Sequence, residues 1–241
     1  MKKTAYGLIA LLTAGSAHAE LLGAGVGGGI WHSGPTGTVT TSGSTFNLEK
    51  DAGLSAKNNN YLWAYFNHPL PLVPNFRAEF TSTSTTGTGT VSSFSGTTLS
   101  GKTQTNLDLD QTDFLLYWGL PLPFIRFNYG FGAKDFKGEL SVKSDTASPT
   151  PSNLNATLPV GYLGADFSLP MLPLTLSANT KTLGSRFNDT SFKARYDIIG
   201  FGLKLGAEAG YRTINLDSSD LSNLNVDLSY GGVFAGVTLV F

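Results

Sequence analysis

The sequence predicts an all-β fold: a transmembrane antiparallel up-and-down β-barrel of about 10 strands, with short periplasmic turns and long extracellular loops. Three observations carry this. An export signal opens the chain with no later apolar run of helical length, several segments alternate strictly between apolar and polar residues, and the connections between them are of two kinds, short and apolar or long and polar.

The first element is the signal. Lys2 and Lys3 precede the apolar "AYGLIALLTAG", and "AHA" at 17 to 19 is a small-x-small cleavage site. A membrane anchor would need about 20 apolar residues. Residues 1–19 are therefore expected to be a signal peptide and 20–241 a single barrel domain. Without Lys2 and Lys3 the mature chain holds 14 basic against 17 acidic residues, a formal charge of −3, which argues against nucleic acid as a partner. With no Cys there is no disulfide framework and no thiolate chemistry. The chain has 29 Gly, 16 Phe, 9 Tyr and 3 Trp but only 14% charged residues, too few to coat a soluble lipocalin-like barrel well.

Next come the turns. "HPLPLVPN" (68 to 75), "WGLPLPFIRF" (118 to 127) and "SLPMLPLTL" (168 to 176) share one Pro-apolar-Pro punctuation, and "IIGFGLKLG" (198 to 206) replaces it with Gly. Proline cannot donate to a β-ladder, so each stretch reads as a turn between two strands. The flanks alternate accordingly: Phe76, Ala78 and Phe80 against Arg77 and Glu79; Ile125, Phe127, Tyr129 and Phe131 against Arg126, Asn128, Gly130 and Gly132; Leu203, Leu205, Ala207 and Ala209 against Lys204, Gly206 and Glu208. Polar stretches such as "TSTSTTGTGTVSSFSGTTLSGKTQTN", "LGSRFNDT" and "DSSDLSNLN" lie at the other end and read as loops. Four turns with two strands each, plus "LLGAGVGGGIW" at the start and "LSYGGVFAGVTLVF" at the end, make ten.

The closing strand presents Val233, Ala235, Val237, Leu239 and Phe241 on one face and ends on an aromatic. This resembles the signal read by the barrel-assembly machinery, which makes that machinery a partner through Phe241. With its Gly231–Gly232 pair, the chain resembles a family of small Gram-negative outer-membrane proteins of about this length. The resemblance implies an outer-membrane location in a Gram-negative bacterium and supplies no site. Outer-membrane lipid and lipopolysaccharide are the surroundings it implies.

Aromatic side chains are expected to form girdles, with Trp31, Tyr61 and Trp63 toward the long loops and Tyr117, Trp118 and Phe124 toward the short turns. The inward charges of the alternating segments are Arg77, Glu79, Asp113, Arg126, Asp166, Lys193, Arg195, Asp197, Lys204, Glu208 and Arg212. Six positive against five negative is nearly balanced, whereas an ion-selective pore favours rings of one sign. A turn centred on Gly200–Phe201 would set Asp197 opposite Lys204 and Lys193 opposite Glu208. Tyr65, Tyr117, Tyr162, Tyr230 and Phe234 would fill much of the remaining space, since a barrel of this size is scarcely wider than one packed solid by its own side chains.

The motifs that usually carry chemistry are weak here. "GAGVGG" at 23 to 28 imitates a dinucleotide fingerprint, with Glu49 farther on, but no strand precedes it and no helix follows. His32 at the long-loop end of the first strand is the best candidate for a base, in a lipid- or peptide-modifying enzyme, although a solvated rim residue is the simpler reading. His68 reads as an interfacial turn residue. Asp108 and Asp110 share one strand face and suit either a protease carboxylate pair or a plain wet face. The expectation is a monomeric, non-enzymatic barrel with no catalytic, cofactor or metal residues. Its lumen is expected to be plugged by side chains, in a structural or surface-interaction role. The alternative is a narrow diffusion channel, if the inward Gly130, Gly132, Gly206, Gly210, Gly232 and Gly236 leave open space.

Overall fold

The computed structural model describes residues 22–70, 72–221 and 224–241; the expected signal peptide 1–19 and Pro71 lie outside them. In chain order the strands are β1 (Gly23–Thr41), β2 (Ser44–Asn47), β3 (Lys57–Asn67), β4 (Asn75–Gly89), β5 (Ser93–Phe94), β6 (Thr97–Thr98) and β7 (Thr103–Leu122). They continue with β8 (Ile125–Ser144), β9 (Ser152–Asn153), β10 (Ala156–Ser168), β11 (Leu174–Thr182), β12 (Phe187–Phe201), β13 (Leu203–Leu221) and β14 (Leu224–Val240). Ten of them, β1, β3, β4, β7, β8 and β10 to β14, are the staves of a closed antiparallel meander in which β14 returns to β1. Closure leaves no sheet edge, the condition for strands to cross a bilayer. The terminal residue takes part: the Phe241 and Ala24 backbones exchange two hydrogen bonds, at 2.8 and 3.1 Å.

The four Pro- or Gly-punctuated stretches are turns at one end. They join β3 to β4, β7 to β8, β10 to β11 and β12 to β13. Around the first, the Leu70 N–H donates to His68 Nδ1 at 3.1 Å, which leaves His68 Nε2–H to donate to the Pro74 carbonyl at 3.0 Å. The last turn does not centre on Gly200–Phe201. Gly200 (φ 141°) and Gly202 (φ 82°) take conformations that other residues rarely adopt, and a bulge at Ile198 shifts the ladder. Arg195 therefore faces Glu208, and Asp197 faces Gly206 instead of Lys204.

The staves run well past the points where the sequence reads as loop. "TSTSTTGTG" belongs to β4 and "TQTN" to β7, "RFNDT" gives β12 its start from Phe187, and most of "DSSDLSNLN" lies in β13 and β14. Along each extended stave the inward and outward parity holds while the chemistry changes sides. On β7, Leu107 and Leu109 point inward with Asp108 and Asp110 exposed; six residues on, Asp113 points inward and Phe114 and Leu116 outward. The short-turn half is thus a lipid-facing barrel with exposed Val26, Ile30, Leu62, Phe80, Phe131 and Phe192, while the long-loop half has a water-facing exterior and an apolar interior.

That interior is a core. Val39, Leu107, Leu140, Val142, Ile214, Leu216, Val226 and Leu228 come from the staves, and Phe46, Leu48, Ala52, Leu54, Val91, Phe94 and Leu99 from the connections. Residues 47–54 form a hook. Asn47 Oδ1 accepts from the Glu49 and Lys50 amides, and the Leu54 amide donates to the Leu48 carbonyl at 2.9 Å. The hook lies flat on the top of β4, where a Cβ on Gly89 would stand 1.9 Å from the Asp51 carbonyl oxygen. Of the expected girdle, only Trp118 and Phe124 face outward; Trp31, Trp63 and Tyr117 are buried in the lumen and Tyr61 donates into it. The ladder sets them inward, with Trp63 opposite the inward Glu79 and Trp31 opposite the inward Phe234.

Candidate functional site

Below the apolar core lies a charged layer, to which six of the ten staves contribute one or two residues each. β4 supplies Arg77 and Glu79, β7 Asp113, β8 Lys134, β11 Lys181, β12 Asp189 and Lys193, and β13 Glu208 and Arg212. Alternation alone places them all inward. Lys134 is opposite Asp113 in the ladder and donates to both its oxygens, at 2.9 and 3.2 Å, and to Asp189 Oδ2 at 3.2 Å. Lys181 reaches Glu79, Asp113 at 2.5 Å and Asp189 at 3.4 Å. Arg212 grips both oxygens of Asp189, at 2.8 and 2.6 Å, and spends Nη1 on Thr81 Oγ1 at 2.9 Å. Charges removed from water survive only when paired in this way.

A second knot lies beside the first. Glu208 Oε1 accepts from Trp63 Nε1 at 2.7 Å and from Tyr61 Oη at 2.9 Å, while its Oε2 accepts from Lys193 at 3.0 Å. The ladder register makes Lys193 a diagonal neighbour of Glu208, so the pair expected as directly opposite forms one step askew. Arg77 donates Nε to Glu79 at 2.6 Å, and its guanidinium lies 5.4 Å from the Trp63 ring. Five cations (Arg77, Lys134, Lys181, Lys193, Arg212) meet four anions (Glu79, Asp113, Asp189, Glu208), a formal excess of +1.

Nearer the short turns, Arg195 pairs with Asp197 on its own strand at 3.1 Å. Asp166 accepts from Asn128 at 2.8 Å and Ser177 at 2.6 Å. Arg126 and Lys204 make no ion pair among the described residues. Side-chain exposure climbs from 0% at Lys134 to 14% at Arg77 and 19% at Arg195, so solvent enters the lumen from the short-turn end and stops at the charged layer.

Three members of the layer lie outside the inward set expected from the sequence. Lys134 lies two residues beyond Gly132, Lys181 lies two beyond the Thr175, Ser177 and Asn179 that alternate with Leu174, Leu176 and Ala178, and Asp189 stands in "LGSRFNDT", which reads as loop. Carrying the period two residues farther finds the first two.

The remaining candidates are dispersed. His32 is exposed on the outer wall, its Nδ1 2.8 Å from Asn58 Oδ1. Asp108 and Asp110 are exposed on the outer face, opposite Glu139 and Lys137. "GAGVGG" opens stave β1, where Gly25 and Gly27 make room for rings: an added Cβ would meet Tyr65 at 2.6 Å and Trp63 at 2.4 Å. The inward glycines behave alike. At Gly210 the Phe234 ring would stand 2.6 Å from a Cβ, and at Gly236 the Tyr61 hydroxyl 2.4 Å. The space these glycines release is taken up by neighbouring rings and backbone.

A closed strand ring with an apolar belt outside and paired charges inside is the construction of an integral outer-membrane β-barrel of Gram-negative bacteria. No family model and no curated protein matches the chain. Among solved structures it is similar to the outer membrane protease OmpT from Escherichia coli (11% identity over 93% of this chain and 98% of that one, TM-score 0.48). It is also similar to the translocator domain of autotransporter NalP from Neisseria meningitidis (14%, 99% and 95%, 0.47) and to Ail, the attachment invasion locus protein of Yersinia pestis (10%, 91% and 98%, 0.37). All three scores lie below 0.5.

Proposed function

We propose that this protein is a sealed, non-enzymatic barrel that serves the outer membrane structurally or through its water-facing upper exterior. The supporting observation is the stacking of two fillings in one lumen: an apolar core at the long-loop end, with Leu48, Phe94, Leu140 and Val142 all at 0% exposure, above a charge-paired layer. An ion crossing this path would be stripped of water beside Leu and Phe side chains, at a cost of many kcal/mol. Outer-membrane lipid and lipopolysaccharide are its surroundings, the assembly machinery engages the closing strand through Phe241, and the working form is a monomer. The Gly231–Gly232 pair groups it with the small outer-membrane proteins it resembles; a Cβ at Gly232 would stand 1.9 Å from the His32 carbonyl oxygen, so that glycine serves close stave packing.

Planar-bilayer recording of the refolded protein tests the seal. The expected trace stays at leak level. Steady single-channel steps, with matching uptake of small solutes in liposome swelling, would overturn the proposal in favour of a narrow diffusion channel.

A further inference from the structure

Between the two charge knots lies a cavity of about 50 Å³, and its wall is markedly cationic. Arg77, Lys181, Lys193 and Arg212 line it against only Glu79 and Glu208. Arg77 and Lys181 both use Glu79, so one carboxylate answers two cations on this wall. Lys193 has one carboxylate, Glu208, whose other oxygen is already taken by Trp63 and Tyr61. Lys181 is also held by Asp113 at 2.5 Å and Arg212 by both oxygens of Asp189, so the least answered cations are Arg77 and Lys193, whose other close neighbour is the Trp63 ring, with centroid distances of 5.4 and 4.6 Å. A ring face attracts a cation without cancelling its charge. The formal excess of +1 in the layer therefore collects around this cavity, where low local dielectric makes an unanswered charge costly.

The geometry points to a bound small inorganic anion, of the halide class, as a resident of this cavity. The size fits. Holding one water takes roughly 10–15 Å³ of such space, so the cavity accepts a halide with a water or two and is far too small for a sugar phosphate or a lipid headgroup. The donors fit as well, since ammonium and guanidinium groups converge from β4, β11, β12 and β13 and are already fixed by their carboxylates and rings. The ion would arrive from the short-turn end, where side-chain exposure in the lumen is highest. Its role would be to neutralise the layer, which requires no flow through the barrel and is independent of the seal proposed above.

Two experiments on the full mature protein refolded in detergent test this. Crystals grown in sodium bromide should show an anomalous peak within hydrogen-bonding reach of Lys193 and Arg77; a well-ordered lumen with only water there overturns the proposal. Thermal unfolding at equal ionic strength should give a Tm several degrees higher in chloride than in gluconate, because a ligand held only by the folded state stabilises it by mass action. Lys193→Met and Arg77→Gln should each lose most of that difference, two variants being used in case one fails to assemble. Equal Tm values in the two salts, or a difference that survives in the variants, would refute the site.

Discussion

Asp113 and Lys134 face each other across β7 and β8, yet removing one should cost far more than removing the other. Lys134→Met deletes one of five cations: Asp113 keeps Lys181 at 2.5 Å, Asp189 keeps Arg212 at 2.6 Å, and the formal excess falls from +1 to 0. Asp113→Asn deletes one of four anions and raises the excess to +2. Lys134 is then left to Asp189 at 3.2 Å, which already holds Arg212 and Lys181. Unit charges 4 Å apart interact by about 4 kcal/mol at an effective dielectric of 20, and stranding a buried charge costs about 3–5 kcal/mol. Asp113→Asn should therefore lose about 3–5 kcal/mol and Lys134→Met less than half of that. Urea unfolding in lipid vesicles in a halide-free gluconate buffer, which leaves the excess at +1, followed by the emission of buried Trp31 and Trp63, measures both. Equal losses, or a greater loss for Lys134→Met, would show that the charge excess does not govern the layer.

Other perturbations separate the two halves of the lumen. Leu140→Ala should cost about 2–5 kcal/mol in the same unfolding assay, the range for a large-to-small change in a closed core, and should leave the barrel non-conducting while the charged layer stays intact. Gly25→Ala drives a methyl into the Tyr65 ring, for a loss of about 1–3 kcal/mol; Tyr65→Ala in the same chain should spare the variant that clash, which a thermal melt of single and double variants would detect. His32→Ala, on the outer wall beside Asn58, should shift stability by no more than about 0.5 kcal/mol. Lipid A or peptide turnover that is present in the parent and lost in that variant would revive an enzymatic reading.

The fold was legible because a strand's period of two survives any change of surroundings. The alternation in "IRFNYGFG" and the proline punctuation of "HPLPLVPN" are local properties, and both located their hairpins. Less legible was the medium on each side. "INLDSS" alternates as cleanly as "FRAEF", but with the apolar members inward, so equating apolar with lipid-facing ends the strand where the membrane ends. The same assumption sent Trp31 and Trp63 to a girdle. Composition marks an aromatic residue as amphipathic; only its place in the ladder, Trp63 opposite Glu79 and Trp31 opposite Phe234, marks it as a lumen residue. The charged layer was readable as a set of inward residues and unreadable as a network, because Lys181 meets Glu79 across the lumen, 102 positions apart in sequence.

The inversion of polarity along the staves fixes the molecule's height in the bilayer. Sinking by a few residues would carry Asp108, Asp110, Lys137 and Glu139 into hydrocarbon, where a lysine costs about 2–4 kcal/mol at mid-depth, and rising by as much would bring Phe80, Phe114 and Phe131 into water. A uniform lipid-facing cylinder could bob or tilt to follow local membrane thickness. This one behaves as a float with a waterline drawn at about Gln111 and Thr112 on β7, and the bilayer must adjust to it.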